Sequence, residues 1–569
     1  MRVRPSPVMH GATAYRVPRA GAPTDLHLDG NEGATPPESL LGALQDFGID
    51  VLRRYPDAAP LEAHLATRLG ISPAQVLVTA GGDDALDRAC RVVLAPGREL
   101  LFPVPGFEML ARYARLVGGT VVEIPWTEHR YPTDAVLAAL SPATAMIVVT
   151  SPNNPTGGVA TAEDLRRLSA AAPEALLLVD LAYVEFADED LSAAALALPN
   201  AVVVRTVSKA RGLAGLRVGY VAGPTPIIDW MRAAGAPYAV SAPSLALAQK
   251  SLHAGDEDMR DFVARVRQER SFIASILAEL GADPLPSEAN FVLTRVRDPL
   301  WLRDALAGLG IAVRAFPGKA GLEQHVRVAC PGDSAALLRL EAALRAALRP
   351  EALLLDMDGV LADVSGSYRA AIVQTAASFG VEVRAEDIAY AKALGDANND
   401  WVLTWRLLSE RGVETSLEEV TRRFEALYQG SPGRPGLRAT ERLLGGRALL
   451  ERLSAKVALA VVTGRPRKDA LNFLREQGIE DLFPVLVCME DAPAKPDPAP
   501  VRLALSQLGV GAAWMVGDTP DDVRAARFAG VVPLGIAAPG HNHEATDALL
   551  TRAGAARTLR TLDELESLL

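Results

Sequence analysis

Residues Leu353–Val364 read LLLDMDGVLADV, and this stretch decides how the chain is divided. Leu353 to Leu355 form a short apolar run suited to a fully buried strand; Asp356 and Asp358 follow one residue apart, and Gly359 supplies a turn. A strand running into two spaced aspartates reads as the beginning of a site. Just before it, SAALLRLEAALRAALR has a helical pattern closed by Arg349-Pro350, because proline disfavours helical geometry in the residue before it. A second part of the chain therefore opens here, and the residues before it must be read separately.

The 569 residues leave room for about three or four domains. With 49% hydrophobic, 22% charged and 5% aromatic residues, the composition is that of a globular protein. The 58 basic and 69 acidic residues give a net charge of −11, which argues against nucleic acid or an anionic membrane as partner, although a local basic pocket for phosphate fits within it. The N-terminal MRVRPSPVMHGATAYRVPRAG lacks an apolar core segment, so it is expected not to be a secretory signal and the protein is expected in the cytoplasm. No apolar run approaches the ~20 residues of a spanning helix. Cys90, Cys330 and Cys488 match neither a zinc spacing nor a disulfide framework and read as small core residues.

From QVLVTAG through ELLFPV, TVVEIP, AMIVVTSP, LLLVDLAY and AVVVRTVSK to RVGYVAG, β-rich runs alternate with amphipathic alanine- and leucine-rich stretches. That alternation predicts an α/β fold with a large, mostly parallel sheet. A helical region over about 243–280 follows. Then comes a smaller mixed unit with strands near NFVLTRV, IAVRAF and HVRVAC.

Five segments of this first part can carry chemistry. TVSKARGLAGLRVG sets Lys209 after a strand, beside Ser208 and eight residues before Arg217, among glycines that let backbone approach a ligand. Such a lysine can link covalently to a carbonyl cofactor; taken alone, it reads equally well as a surface lysine in a glycine-rich loop. LVDLAYVEF puts Asp180 at a strand end and Tyr183 three residues on, where a buried carboxylate can keep a pyridine nitrogen protonated, although a strand-terminal aspartate is more often a cap. VVTSPNNPTGG offers Asn154 as a donor to a ring oxygen. VTAGGDDALDRA leads through Gly82, Asp83 and Asp84 into a helix whose free N–H groups suit phosphate. RRYPD supplies Tyr55.

Together these segments resemble the fold-type I, pyridoxal-phosphate-dependent aminotransferases, and among them the histidinol-phosphate aminotransferase group, in the order LDGNEG, RYPD, GGDDALD, PGFEML, SPNNPTG, DLAYVEF, SKARGLAGLRVG and HVRVACPG. The resemblance implies that Lys209 carries the cofactor and shuttles protons. It implies further that Asp180 faces the pyridinium nitrogen, that Asn154 and Tyr183 hold the ring hydroxyl, and that Phe107 stacks on the ring. Gly82, Asp83, Ser208 and Arg217 would bind the cofactor phosphate, joined by Tyr55 from a neighbouring subunit, which implies a homodimer. Tyr15, Asn31, Arg314 and Arg327 match positions that hold a phosphorylated substrate, for which planar guanidinium forks are suited. Leu181, Asp84 and Phe107 depart from the family's glutamate, glutamate and tyrosine. The expected extent is 1–348, with a large domain over about 45–250 and a small one from the N-terminal segment and about 255–348.

After LLLDMDGVLADV, ALAVVTGRP ends a strand at Thr463, DAPAKPDP offers Lys495, and AWMVGDTPDD ends a strand at Asp518 with Asp521 and Asp522 behind it. A nucleophile, a hydroxyl, a cation and a carboxylate pair at successive strand ends suit phosphoryl transfer. In that reading Asp356 attacks phosphorus, Asp358 protonates the leaving oxygen, Thr463 and Lys495 hold the phosphoryl group, and Mg²⁺ is bound by Asp356, Asp358, Asp518 and Asp522. These motifs resemble the haloacid dehalogenase superfamily of phosphatases over 351–569. The resemblance implies a core of 351–364 and 444–569 and a helical cap over about 365–443, with GSPGRPG as a flexible return. His541 and His543 lack a third ligand nearby and read as a solvated loop.

An aminotransferase joined to a phosphatase suggests consecutive steps on one substrate. In histidine biosynthesis these are transamination of imidazole-acetol phosphate by glutamate, giving 2-oxoglutarate, and dephosphorylation of histidinol phosphate. Two alternatives are the same chemistry on another phosphorylated amine, in cofactor or natural-product synthesis, and a non-catalytic pyridoxal-phosphate-binding regulator.

Overall fold

The β-rich runs between Val76 and Ala222 all become strands of one seven-stranded sheet. Across it they stand in the order Val76–Thr79, Gly219–Ala222, Ala201–Thr206, Leu176–Asp180, Thr144–Thr150, Glu99–Val104, Thr120–Pro125. All neighbours are parallel except Gly219–Ala222, which runs antiparallel to both of its partners. The central strand Leu176–Asp180 is buried at every position, as a parallel strand covered on both faces must be. Its side chains alternate between two cores: Leu176 and Leu178 join Leu86, Cys90 and Leu110 on one face, while Leu177 and Val179 join Ile147 and Leu165 on the other. This computed structural model describes residues 4–9, 12–42, 44, 49–394 and 399–569.

The chain forms two compact units. The first comprises residues through Pro18, Leu28–Pro299 and Arg314–Leu337; the second comprises Arg19–His27, Leu300–Val313 and Leu338–Leu569. Besides the large sheet, the first unit holds a four-stranded antiparallel sheet in the order Arg314–Ala315, His325–Ala329, Phe291–Arg295, Asp283–Pro284. The stretch IAVRAF, expected as one strand, is two. Ile311–Ala312 pairs with Leu26–His27, whereas Arg314–Ala315 pairs with His325–Ala329, so Val313 is where the chain changes sheets.

The second unit is built on a six-stranded parallel sheet, in the order Val485–Val487, Ala458–Val462, Ala352–Leu355, Ala513–Gly517, Val532–Ile536, Arg557–Leu559. The strand Ala352–Leu355 lies at its middle with every residue buried. Two tryptophans close one side. Trp514 donates to the Ala346 carbonyl at 2.7 Å, Trp301 donates to that of Ala347 at 3.1 Å, and their rings meet edge on at 4.6 Å. A pair of two-residue strands, Ala362–Asp363 and Arg442–Leu443, carries the chain into and out of a helical insertion containing Tyr368–Ser378, Ala385–Leu394, Asp400–Glu410 and Leu417–Gln429. GSPGRPG is not a loose return: Gly430–Ser431 pairs with Arg434–Pro435 as a tight hairpin, with Gly430 and Gly433 at φ 77° and 81°. Among the described residues no helix is long and apolar enough to cross a membrane.

Two candidate active sites

In the first unit the functional side chains lie beyond the carboxyl ends of the parallel strands, the usual place for ligands in such sheets. Asp180 ends one strand, Asn154 follows the next, Ser208 and Lys209 follow a third, and Phe107 follows a fourth. They line a cavity of about 610 Å³ together with Tyr15, Asn31, Gly82, Asp83, Tyr183, Arg217, Arg314 and Arg327. Tyr55 is not among the lining residues. It is 82% exposed, with its ring stacked on Tyr238 at 4.7 Å.

Gly81 at φ 80° opens the helix Gly81–Val93, whose N-terminus has no side-chain cap. A Cβ on Gly219 would come within 2.6 Å of the Gly81 carbonyl carbon, so the strand reaches this turn only because it carries a glycine there. The helix start thus offers its first N–H groups to the cavity, and Arg217, itself at φ 52°, lies against it with Nη2 donating to Asp83 Oδ2 at 2.8 Å. Ser208 Oγ accepts from Thr206 Oγ1 at 2.8 Å. The Lys209 ammonium donates to the Gly30 carbonyl at 3.3 Å and lies 5.6 Å from the Tyr183 ring centre.

Burial lifts the Asp180 carboxyl to about 6, and Asp83 adds to the rise; the Ala182 amide that donates to it at 3.1 Å and the charge of Lys209 oppose it. A cationic ring nitrogen beside Asp180 would restore its charge. Tyr183 accepts from Asn31 Nδ2 at 3.2 Å, and Asn154 Oδ1 accepts from Arg327 Nη1 at 2.5 Å, which leaves the Asn154 amide group available as a donor.

Arg314 and Arg327 are direct cross-strand partners and both are buried. Like charges placed opposite one another destabilise a sheet, so this pair marks a place meant for an anion. Burial, aided by the charge of Arg314, pulls Arg327 down to about 10. Arg314 Nη1, Arg327 Nε and Asn31 Oδ1 are buried without a hydrogen-bond partner among the described groups. Glu108, which the sequence reading passed over, stands 3.7 Å from Arg314 and is ion-paired to Lys319. A cavity with an uncapped helix N-terminus, a buried carboxylate and orphaned guanidinium nitrogens fits a phosphorylated pyridine cofactor and an anionic substrate.

In the second unit, Asp356, Thr463 and Asp518 follow three neighbouring strands of the parallel sheet. Lys495 reaches between them: its ammonium donates to Asp356 Oδ1 at 2.8 Å and to the Val462 carbonyl at 3.1 Å, and stands 2.5 Å from Asp522 Oδ1. Although burial opposes its charge, Asp356 and Asp522 hold the Lys495 ammonium above its ordinary value. Burial pushes the Asp356 and Asp518 carboxyls up, and the neighbouring aspartates push them further. Asp356, Asp518 and Asp522 bring one oxygen each to within 4.8 Å of one another. Two buried carboxylates and a half-buried one, with one lysine between the buried two, need a further cation, and oxygen ligands at that spacing fit Mg²⁺. Asp358, expected as a fourth ligand, stands outside this group because its carboxylate is drawn to Arg465 Nε at 2.6 Å. Asp521 is buried and turned toward Arg524 at 3.3 Å.

The insertion contributes two cations that the sequence reading missed. Arg369 lies 3.9 Å from Asp518, and Lys392, paired with Asp400 at 3.3 Å, raises the positive potential over the same carboxylates. His541 is half-buried rather than solvated, held below its ordinary value by burial and by these two cations. None of these residues sits in a recognisable motif; only the folded insertion brings them here.

Residues 27–344 match the aminotransferase class I and II family. The chain belongs to that family. Residues 353–536 of the same chain match the haloacid dehalogenase-like hydrolases. A curated imidazoleglycerol-phosphate dehydratase of Phytophthora nicotianae is 54% identical over 197 residues, covering 33% of this chain, which spans only 44% of that protein's length. An aromatic amino acid aminotransferase of Mycobacteroides abscessus is 35% identical, covering 61% of this chain and 100% of its own. A histidinol-phosphate aminotransferase of Legionella pneumophila is 33% identical over 50% of this chain and 82% of its own. Among solved structures, the histidinol-phosphate aminotransferase of Sinorhizobium meliloti in complex with pyridoxal 5'-phosphate is 26% identical, with a TM-score of 0.54 over 61% of this chain and 98% of its own. The aminotransferase part is accordingly a fold-type I, pyridoxal-phosphate-dependent transaminase, and the hydrolase part a Mg²⁺-dependent phosphatase. Fold class and both enzyme classes agree with the sequence reading.

Proposed function

We propose that the two sites catalyse consecutive steps of histidine biosynthesis: transamination of imidazole-acetol phosphate with glutamate to histidinol phosphate, then hydrolysis of that ester to histidinol. The observation that carries the reading is the buried Arg314–Arg327 pair in the aminotransferase cavity, a site for the anionic end of a substrate, on a chain that also carries a phosphatase. The Legionella and Sinorhizobium relatives support it.

In the first site, bound pyridoxal phosphate supplies the electron sink for a carbon that loses its proton. Lys209 would hold the cofactor, and its amine would take the proton from the substrate carbon and return it. Asp180 would keep the ring nitrogen protonated, Asn154 and Tyr183 would orient the ring hydroxyl, and Phe107 would pack on the ring. Gly82, Asp83, Ser208 and Arg217 take the cofactor phosphate at the helix N-terminus, while Tyr15, Asn31, Arg314 and Arg327 orient substrate. Tyr55 belongs to the site of a second copy of the chain, since it is exposed and lies outside its own cavity. The working form is therefore a homodimer. Three buried, unpaired cysteines support a cytoplasmic location.

In the second site, Asp356, Asp518 and Asp522 would hold Mg²⁺, which would supply positive charge against the phosphoryl oxygens. An Asp356 oxygen attacks phosphorus and the ester P–O bond breaks; Asp358 gives its proton to the departing alkoxide, leaving an alcohol. Asp358 then takes a proton from a water that attacks the aspartyl phosphate, releasing inorganic phosphate and restoring Asp356. Lys495 and Thr463 hold the phosphoryl oxygens throughout.

A second reading keeps both chemistries and changes the substrate to another phosphorylated amine. Arg369 and Lys392 favour it, since two cations over the cleft suit an acidic leaving group better than an amino alcohol. Phosphate release from a panel of phosphorylated amines and acids separates the two. Histidinol phosphate should have the highest kcat/KM; an acidic phosphomonoester ahead of it by about tenfold, or about 1.4 kcal/mol of transition-state binding, would favour the second reading.

A further inference from the structure

One guanidinium, that of Arg465, stands between the phosphatase acid and the helical insertion. It follows Thr463 by two residues in the loop after Ala458–Val462, and it is only 2% exposed. Its Nε donates to Asp358 Oδ1 at 2.6 Å. Its two terminal nitrogens donate to the two oxygens of Glu441, Nη1 to Oε2 at 2.9 Å and Nη2 to Oε1 at 3.2 Å. The guanidinium is also sandwiched by rings, with its carbon 4.8 Å from the centre of Tyr368 and 5.5 Å from that of Phe473.

Glu441 is buried and immediately precedes Arg442–Leu443, the return strand of the pair through which the insertion is attached. Its Oε1 also accepts from Ser367 Oγ at 2.8 Å and from Tyr428 OH at 3.1 Å, one group at the start of the first insertion helix and one near the end of the last. A chain of hydrogen bonds therefore runs from Asp358 through Arg465 and Glu441 to both ends of the insertion. A buried cation that holds the buried Glu441 through both terminal nitrogens and the half-buried Asp358 through Nε is costly to assemble, and Arg is the residue whose planar fork can hold both.

We infer that Arg465 is a positioning residue: with Glu441 it fixes the Asp358 carboxyl in the orientation for proton transfer to the leaving group, and ties that orientation to the seating of the insertion. The inference rests on Asp358 being the acid. It leaves nucleophilic attack by Asp356 untouched, because Lys495 and the aspartate cluster make no hydrogen bond to Arg465 among those described. The consequence is specific. In the step that releases the alcohol, esters whose alcohol leaves poorly depend on the acid, whereas p-nitrophenyl phosphate, whose phenolate leaves unaided, does not; the later attack of water on the aspartyl phosphate, with Asp358 as base, is common to both.

The test uses the full chain with Mg²⁺ and two substrates, a simple alkyl phosphate and p-nitrophenyl phosphate. Asp358→Asn, Arg465→Lys and the double variant are compared, with Glu441→Gln as a second route to the same loss should Arg465→Lys fail to fold. Arg465→Lys should slow first-turnover alcohol release from the alkyl ester by about 10-fold or more relative to p-nitrophenolate release from p-nitrophenyl phosphate, with KM little changed, and should add little to Asp358→Asn. Equal first-turnover losses on both esters, or a full additional loss in the double variant, would overturn the positioning role. If Asp358→Asn itself spared the alkyl ester, the acid assignment would fall instead, and the two failures are distinguishable.

Discussion

Lys209→Ala lowers transamination by about 10³-fold or more, the scale expected when one group supplies both the covalent link and the proton transfer. The same variant hydrolyses a supplied phosphomonoester within about twofold of the parent, because the two sites share no residue and belong to separate compact units. The reason lies in the Lys209 surroundings: among the described residues its ammonium reaches the Gly30 carbonyl and the Tyr183 ring, and no other lysine or histidine but Lys319 lines that cavity. Lys319 is occupied by Glu108. Borohydride reduction provides a readout independent of turnover, since the cofactor should be fixed to the parent chain and not to the variant. Fixation to the variant in equal yield would remove Lys209 from the role.

Asp356→Asn is expected to have an effect of similar size on the other activity, a loss of about 10⁴-fold or more in phosphate release, because an amide cannot form the aspartyl phosphate. Lys495 would then keep Asp522 as its remaining anionic partner, so the core has no newly unpaired cation and the fold should survive. Transamination continues at the parental rate, and the phosphorylated amine accumulates in step with 2-oxoglutarate. Phosphate release within about tenfold of the parent would show that another group attacks phosphorus.

Those two residues were legible in the sequence because each follows a strand and stands in an ordered set of segments. Asp356 and Asp358 close a run of three leucines, and Lys209 became readable through Asn154, Asp180 and Arg217 rather than alone. The seven runs of the large sheet could be read for a related reason: strands buried on both faces are continuously apolar, as Leu176–Asp180 is. What could not be read depends on pairing at a distance. Arg314 and Arg327 become a site because two short antiparallel strands set them opposite one another, a register fixed by tertiary structure. Glu441 and Arg465 are 24 residues apart and joined by no motif. Arg369 and Lys392 sit on helices whose sequence shows only a helical pattern. The Asp358 carboxylate was assigned to the metal from its position after a strand, and Arg465, invisible from that vantage, draws it elsewhere.

The most direct test of the account supplies the intact protein, with pyridoxal phosphate and Mg²⁺, with imidazole-acetol phosphate and glutamate, and follows all products together. The account predicts histidinol, inorganic phosphate and 2-oxoglutarate in equal amounts, with histidinol phosphate only as a transient. Histidinol phosphate that accumulates to the end of the reaction, with no phosphate released, would contradict it.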